Sequence, residues 1–160
     1  MKDFVKVSLG IIIAFLLYTT LSKISPSLVL LFNVFSLVVI YFAVEKNEIF
    51  GACLGAFCGL FFYDAFSLGV WGVAGIAKTV MGFTAGYIAK KIDVHPPLRS
   101  FVFIFLLISF EFILWALLYS FIFSGSINTG RGLIFFQPLS TALVGSVLFF
   151  FLRKFKRSEL

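Results

Sequence analysis

Six long apolar runs separated by short polar breaks organise the chain. They extend from about Phe4 to Leu21, Leu28 to Val44, Ile49 to Phe66, Val70 to Ala89, Phe101 to Phe123 and Leu133 to Leu152. The breaks hold KISPS, EKNE, the Lys90–Lys91 pair and SGSINTGR. None of the runs alternates apolar with polar residues, so they do not have the period of half-buried strands. As helices rising 1.5 Å per residue, each reaches across a hydrocarbon layer of ~30 Å, the second and third near the lower limit. Backbone groups in lipid must pair within their own segment, which favours helix. The pattern predicts an all-α integral membrane protein of six transmembrane helices in one domain, residues 1–160.

Composition agrees with lipid as part of the solvent. Hydrophobic residues make up 61% and charged residues 12% of the chain, about half the charged share of roughly 25% usual for a soluble domain. A soluble fold of this size leaves too much surface exposed to hide that excess. The first run follows a basic start, as a signal peptide does, but no small-residue cleavage site follows. It is read as a retained helix. Cys53 and Cys58 lack metal-ligand spacing and histidine company and read as small buried hydrophobes. His95 falls in a polar loop beside Pro96 and Pro97.

Charge then orients the runs. Six spans put both termini on one side. Ten basic residues flank the runs on that side (Lys2, Lys6, Lys46, Lys90, Lys91, Arg99, Arg153, Lys154, Lys156 and Arg157), against Lys23 and Arg131 on the other. This bias predicts cytoplasmic termini. The net charge of +6 needs no nucleic acid to explain it. The cluster Arg153, Lys154, Lys156 and Arg157 is expected to lie against anionic lipid headgroups. Pro138, early in the sixth run, either starts its regular helix or kinks it.

Three charges interrupt the apolar runs: Asp64, Lys78 and Glu111. A charge in hydrocarbon needs a partner or a purpose. Axial depth puts Lys78 within reach of Asp64, across the turn between runs three and four, and at a level similar to Glu111. Asp64 is the first expected partner and Glu111 the second. All three form one expected intramembrane polar network, with a hydrogen-bonded neutral Glu111 as an alternative to an ion pair. Around them run Gly51, Gly55 and Gly59, then Gly82 and Gly86, at a four-residue spacing that lets helices approach closely. Because the two stripes are sequence neighbours, an internal hairpin can consume both. Ser67, Gly69 and Gly72 are expected to shape the outer turn. There is no P-loop, dinucleotide fingerprint, metal-spaced cluster or nucleophile elbow. No cofactor is expected, and the chain is not expected to be an enzyme.

The segment from Phe50 to Lys91 carries a glycine-rich run ending in Asp64, then Ser67, a short glycine loop, Lys78, Gly82 and Gly86. It resembles the MreD family of rod shape-determining proteins, to which the length and basic C-terminus are also similar. Phe83 stands where that family's pattern has tyrosine, with Tyr87 one turn later. The resemblance implies a scaffold of the bacterial cell-elongation machinery in the inner membrane, supporting rod shape and lateral peptidoglycan synthesis. Its implied partner is the bitopic protein MreC, with MreB, RodA and a penicillin-binding transpeptidase linked indirectly. It also implies a fold similar to the six-helix substrate-binding component of energy-coupling-factor transporters. A vitamin-binding subunit of such a transporter is the alternative expectation.

Overall fold

The computed structural model describes the backbone of residues 2–64, 71–94, 96–122 and 136–158. Within them the chain is all-α. Helix α1 (Lys2–Ile24) is followed by a short α2 (Pro26–Leu31) and by α3 (Val34–Glu45). Helix α4 (Glu48–Phe57) continues directly into a π-helical segment, Cys58–Asp64. Then come α5 (Val73–Ala89), α6 (Pro97–Ile122) and α7 (Gln137–Ser158).

Local chemistry sets the helix starts. Pro26 opens α2, where its missing N–H is no loss. The side chain of Asn33 accepts from the Ser36 N–H at 3.3 Å and caps α3. Asn47 does the same for α4 through the Phe50 N–H at 2.8 Å. Gly72, with φ of +96°, occupies the left-handed region just before α5. Pro138 is the second residue of α7. It therefore starts that helix, in the first turn where no intrahelical donor is lost.

Helix α3 is the centre of the assembly. Phe35, Ser36, Leu37, Val39, Ile40, Phe42 and Ala43 are buried, and α3 touches α1, α4, α5, α6 and α7. Met81 and Ala85 of α5, Ile104 and Ile108 of α6 and Ala142 of α7 close the core around it. The outside is apolar as well. Leu9, Ile12 and Leu16 of α1, Leu106 and Ile113 of α6, and Val147 of α7 are exposed. Apolar surface on this scale marks a membrane-facing exterior. The chain is a multi-pass membrane protein.

The expected six spans are corrected. Only Val5–Ile24, Pro26–Glu45 and Pro97–Ile122 are long and apolar enough to cross a membrane among the described residues. Val73–Ala89 and Gln137–Leu152 are apolar but shorter. The 17 residues of α5 rise only about 25 Å, less than the ~30 Å layer. The third apolar run changes from α to π geometry after ten residues. Apolar run length reports composition, whereas crossing needs enough helical rise, which α5 and the α4 run lack. The parity that placed both termini on the cytoplasmic side fails with the six spans, as does the likeness to a six-helix transporter component. Ser67, Gly69 and His95 lie outside the described residues, as do the side chains of Arg153, Lys154, Lys156 and Arg157.

The glycine stripes face each other inside the α4–α5 hairpin. A Cβ at Gly51 would meet the Gly82 carbonyl oxygen at 2.5 Å, and one at Gly82 would strike the Gly51 carbonyl oxygen closer still. Gly55 lies against the Lys78 carbonyl, Gly59 against the Gly75 Cα, and Gly86 against the Glu48 Cα. The backbones therefore touch along the whole hairpin, and no side chain larger than hydrogen fits between them. Glu48 and Lys90 pair across its far end. There the Lys90 ammonium, and then the carboxylate's own backbone N–H, hold the Glu48 carboxyl below its ordinary pKa. Gly82→Ala or Gly55→Ala should lower stability by about 1–3 kcal/mol, because the obstacle is backbone that cannot give. Gly10→Ala should cost less, since its Cβ would crowd side-chain atoms of the Phe42 ring and no backbone is among its near contacts. Thermal unfolding in detergent tests this order, and an unchanged Tm for Gly82→Ala would refute the close approach.

Candidate functional site

The most concentrated chemistry lies where α3, α5 and α6 meet. Lys78 comes from the middle of α5 and is 1% exposed. Its Nζ donates to Glu111 Oε1 on α6, to Ser36 Oγ on α3 at 2.5 Å, and to Asn33 Oδ1 at 3.2 Å. An ammonium has three donors, and all three are used. The same nitrogen lies 4.9 Å from the centre of the Tyr63 ring, which adds a cation–π contact.

Glu111, 6% exposed, completes the ion pair. Its Oε1 also accepts from Asn33 Nδ2 at 3.3 Å. Its Oε2 has no hydrogen-bond partner among the described residues. Glu111 also lines a cavity of about 30 Å³, together with Asn33, Tyr63 and Gln137.

Asn33 links the pair to the rest of the fold. It sits at the break between α2 and α3, where its backbone N–H donates to Thr141 Oγ1 of α7 at 3.1 Å. Thr141 and Ser140 in turn donate to the Leu31 carbonyl, at 3.3 and 2.5 Å. The groups freed by the break are thus satisfied by hydroxyls on α7. One asparagine caps α3, accepts from Lys78 and donates to Glu111.

Asp64 has a separate role. It is 3% exposed and ends the π-helical segment. Its Oδ2 accepts from the N–H groups of Gly72 and Gly75 at 3.0 and 3.1 Å, and its Oδ1 from Ala74 at 3.2 Å. The carboxylate caps α5 from outside, because the glycine at the cap position has no side chain to do so. Charge and helix dipole reinforce the bonds.

The expected first partner of Lys78 is therefore corrected from Asp64 to Glu111. Axial depth allowed both, but the unpaired N–H groups at the start of α5 take Asp64. The three charges form two sites: an ion pair with neutral acceptors and a helix cap. Sequence reading missed Asn33, Ser36, Tyr63 and Thr141. Asn33 carried a usable signal, as a strongly polar amide inside LVLLFNVFSL. Ser36, Thr141 and Tyr63 carried little, because single hydroxyls are common in apolar helices.

The arrangement holds a positive charge in a low-dielectric interior with every donor satisfied. No family model matches the chain, and neither a curated protein nor a solved structure matches it.

Removing one member of a buried pair leaves the other uncompensated, which costs about 3–5 kcal/mol. Lys78→Met and Glu111→Leu should each lower Tm strongly, and the Lys78→Met/Glu111→Leu double variant should recover much of the loss. Additive losses in the double variant would refute the pairing. Asp64→Ala should destabilise by about 1 kcal/mol or more through loss of the cap, whether or not Lys78 is present. Strong coupling to Lys78→Met in a double-mutant cycle would reject the separate role.

Proposed function

We propose that this chain is a non-enzymatic scaffold of the bacterial cell-elongation machinery in the inner membrane. In this reading it holds an MreC-like bitopic partner and helps organise lateral peptidoglycan synthesis with MreB, RodA and a penicillin-binding transpeptidase. What carries the reading is the MreD-like pattern of Asp64, Lys78, Gly82 and Gly86. The geometry gives that pattern a physical sense. Asp64 starts α5, the glycines let it lie on α4, and Lys78 ties it to α3 and α6. Together these residues build the α4–α5 hairpin and fasten it to α3 and α6.

The glycine stripes and buried charges are used inside the chain and are not free to meet a partner's helix. A partner helix would instead meet the apolar exterior, where close packing rather than apolar area decides association.

Purification in mild detergent with co-expressed candidates tests the proposal. A stoichiometric MreC-like bitopic protein is the expected companion. Recovery of a vitamin together with a transporter coupling subunit, and of no wall-synthesis partner, would establish the alternative. In a rod-shaped cell, deletion should widen or round the cells, and unchanged shape and growth would count against the scaffold.

A further inference from the structure

A groove between α1, α3 and α7 opens on the exterior, with a volume of about 450 Å³. Leu9, Ile13 and Leu17 of α1, Val34 and Val38 of α3 and Leu148 of α7 line it. Its charged lining residues, Lys6 and Glu45, fall at one end. They lie near the start of α1 and at the last residue of α3, which run antiparallel, with Gly10 of α1 level with Val38 and Phe42 of α3. Toward Leu17 and Val34 the groove is wholly apolar. It is therefore shaped for an amphiphile with its head at the Lys6 end.

Length suits a lipid chain. Lys6 to Leu17 covers roughly 17 Å along α1. That is close to one leaflet of a ~30 Å hydrocarbon layer. An acyl chain laid along the groove from a head at Lys6 therefore ends near the middle of the layer.

The sign of the head follows from what the elements bring to this end. Lys2 and Lys6 start α1, Lys46 follows α3, and α7 runs on from groove-lining Leu152 into Arg153 and Lys154. Asp3 and Glu45 are the acidic residues of these same stretches, so the end is net basic. An anionic headgroup is favoured there. We infer that the α1–α3–α7 groove binds one anionic phospholipid, an acyl chain lying along Leu9, Ile13 and Leu17 and the headgroup phosphate meeting Lys6. This site is independent of any partner protein.

Native mass spectrometry and lipid extraction on the full chain, purified in mild detergent, test the site. The wild type is expected to retain about one phospholipid, enriched in the anionic class over the source membrane. The Leu9→Trp/Ile13→Trp variant fills the trough and should reduce retention about tenfold. Val147→Trp, at an exposed apolar position outside the groove, should retain lipid as the wild type does. Lys6→Glu leaves the trough intact at an exposed position, and its retained lipid should lose the anionic enrichment. Undiminished retention in the filled variant would overturn the inference, as would wild-type lipid of bulk composition. Should the filled variant fail to fold, Lys6→Glu decides alone: anionic enrichment equal to that of the wild type would overturn the headgroup assignment and with it the site.

Discussion

An ammonium group inside hydrocarbon must have all of its protons bonded, and that requirement at Lys78 organises this fold. The acceptors come from α3 and α6, with the Tyr63 ring alongside. No single neighbouring helix supplies the set. The site therefore fixes the mutual placement of three helices more tightly than apolar packing alone, which tolerates exchange of similar side chains. A buried pair of this kind gives specificity of arrangement, while its net contribution to stability is small against a well-packed apolar substitute.

The glycines are the mechanical counterpart of that electrostatic demand. Gly55 of α4 lies against the carbonyl of Lys78 itself. The side of α5 that carries the lysine backbone is thus pressed onto α4, and the side chain is directed toward α3 and α6. Asp64 adds a third constraint by fixing where α5 begins. Cap, backbone contact and ion pair together leave α5 little freedom to rotate or slide. This explains why a 17-residue helix can be among the most deeply placed elements of the molecule.

Much of this was legible in the sequence, and what was not has definite causes. Asp64, Lys78 and Glu111 stand out because a charge in an apolar run has few reasons to be there. The glycine stripes stand out because the four-residue period survives in the sequence, and their assignment to one hairpin follows from chain proximity. The span count was misread because an apolar run looks the same whether its helix is sustained, as in Pro97–Ile122, cut short, as in Val73–Ala89, or widened after Phe57. The π-helical segment Cys58–Asp64 has no local sequence signal. Asp64 was misassigned because attraction between charges was weighed, whereas unpaired backbone donors nearby in the chain were not. Thr141 reaches a group 108 positions away, a relation that no local pattern encodes.

The chain order of the Lys78 ligands has its own consequence. Asn33 and Ser36 precede the lysine by 45 and 42 residues, whereas Glu111 follows it by 33. During synthesis the neutral acceptors therefore emerge before the cation, and the counter-charge emerges after it. A nascent chain that ends before residue 111 carries the ammonium with dipoles alone to solvate it. Biogenesis of this protein accordingly has a late step, the arrival of α6, at which the Lys78 charge gains its counter-charge.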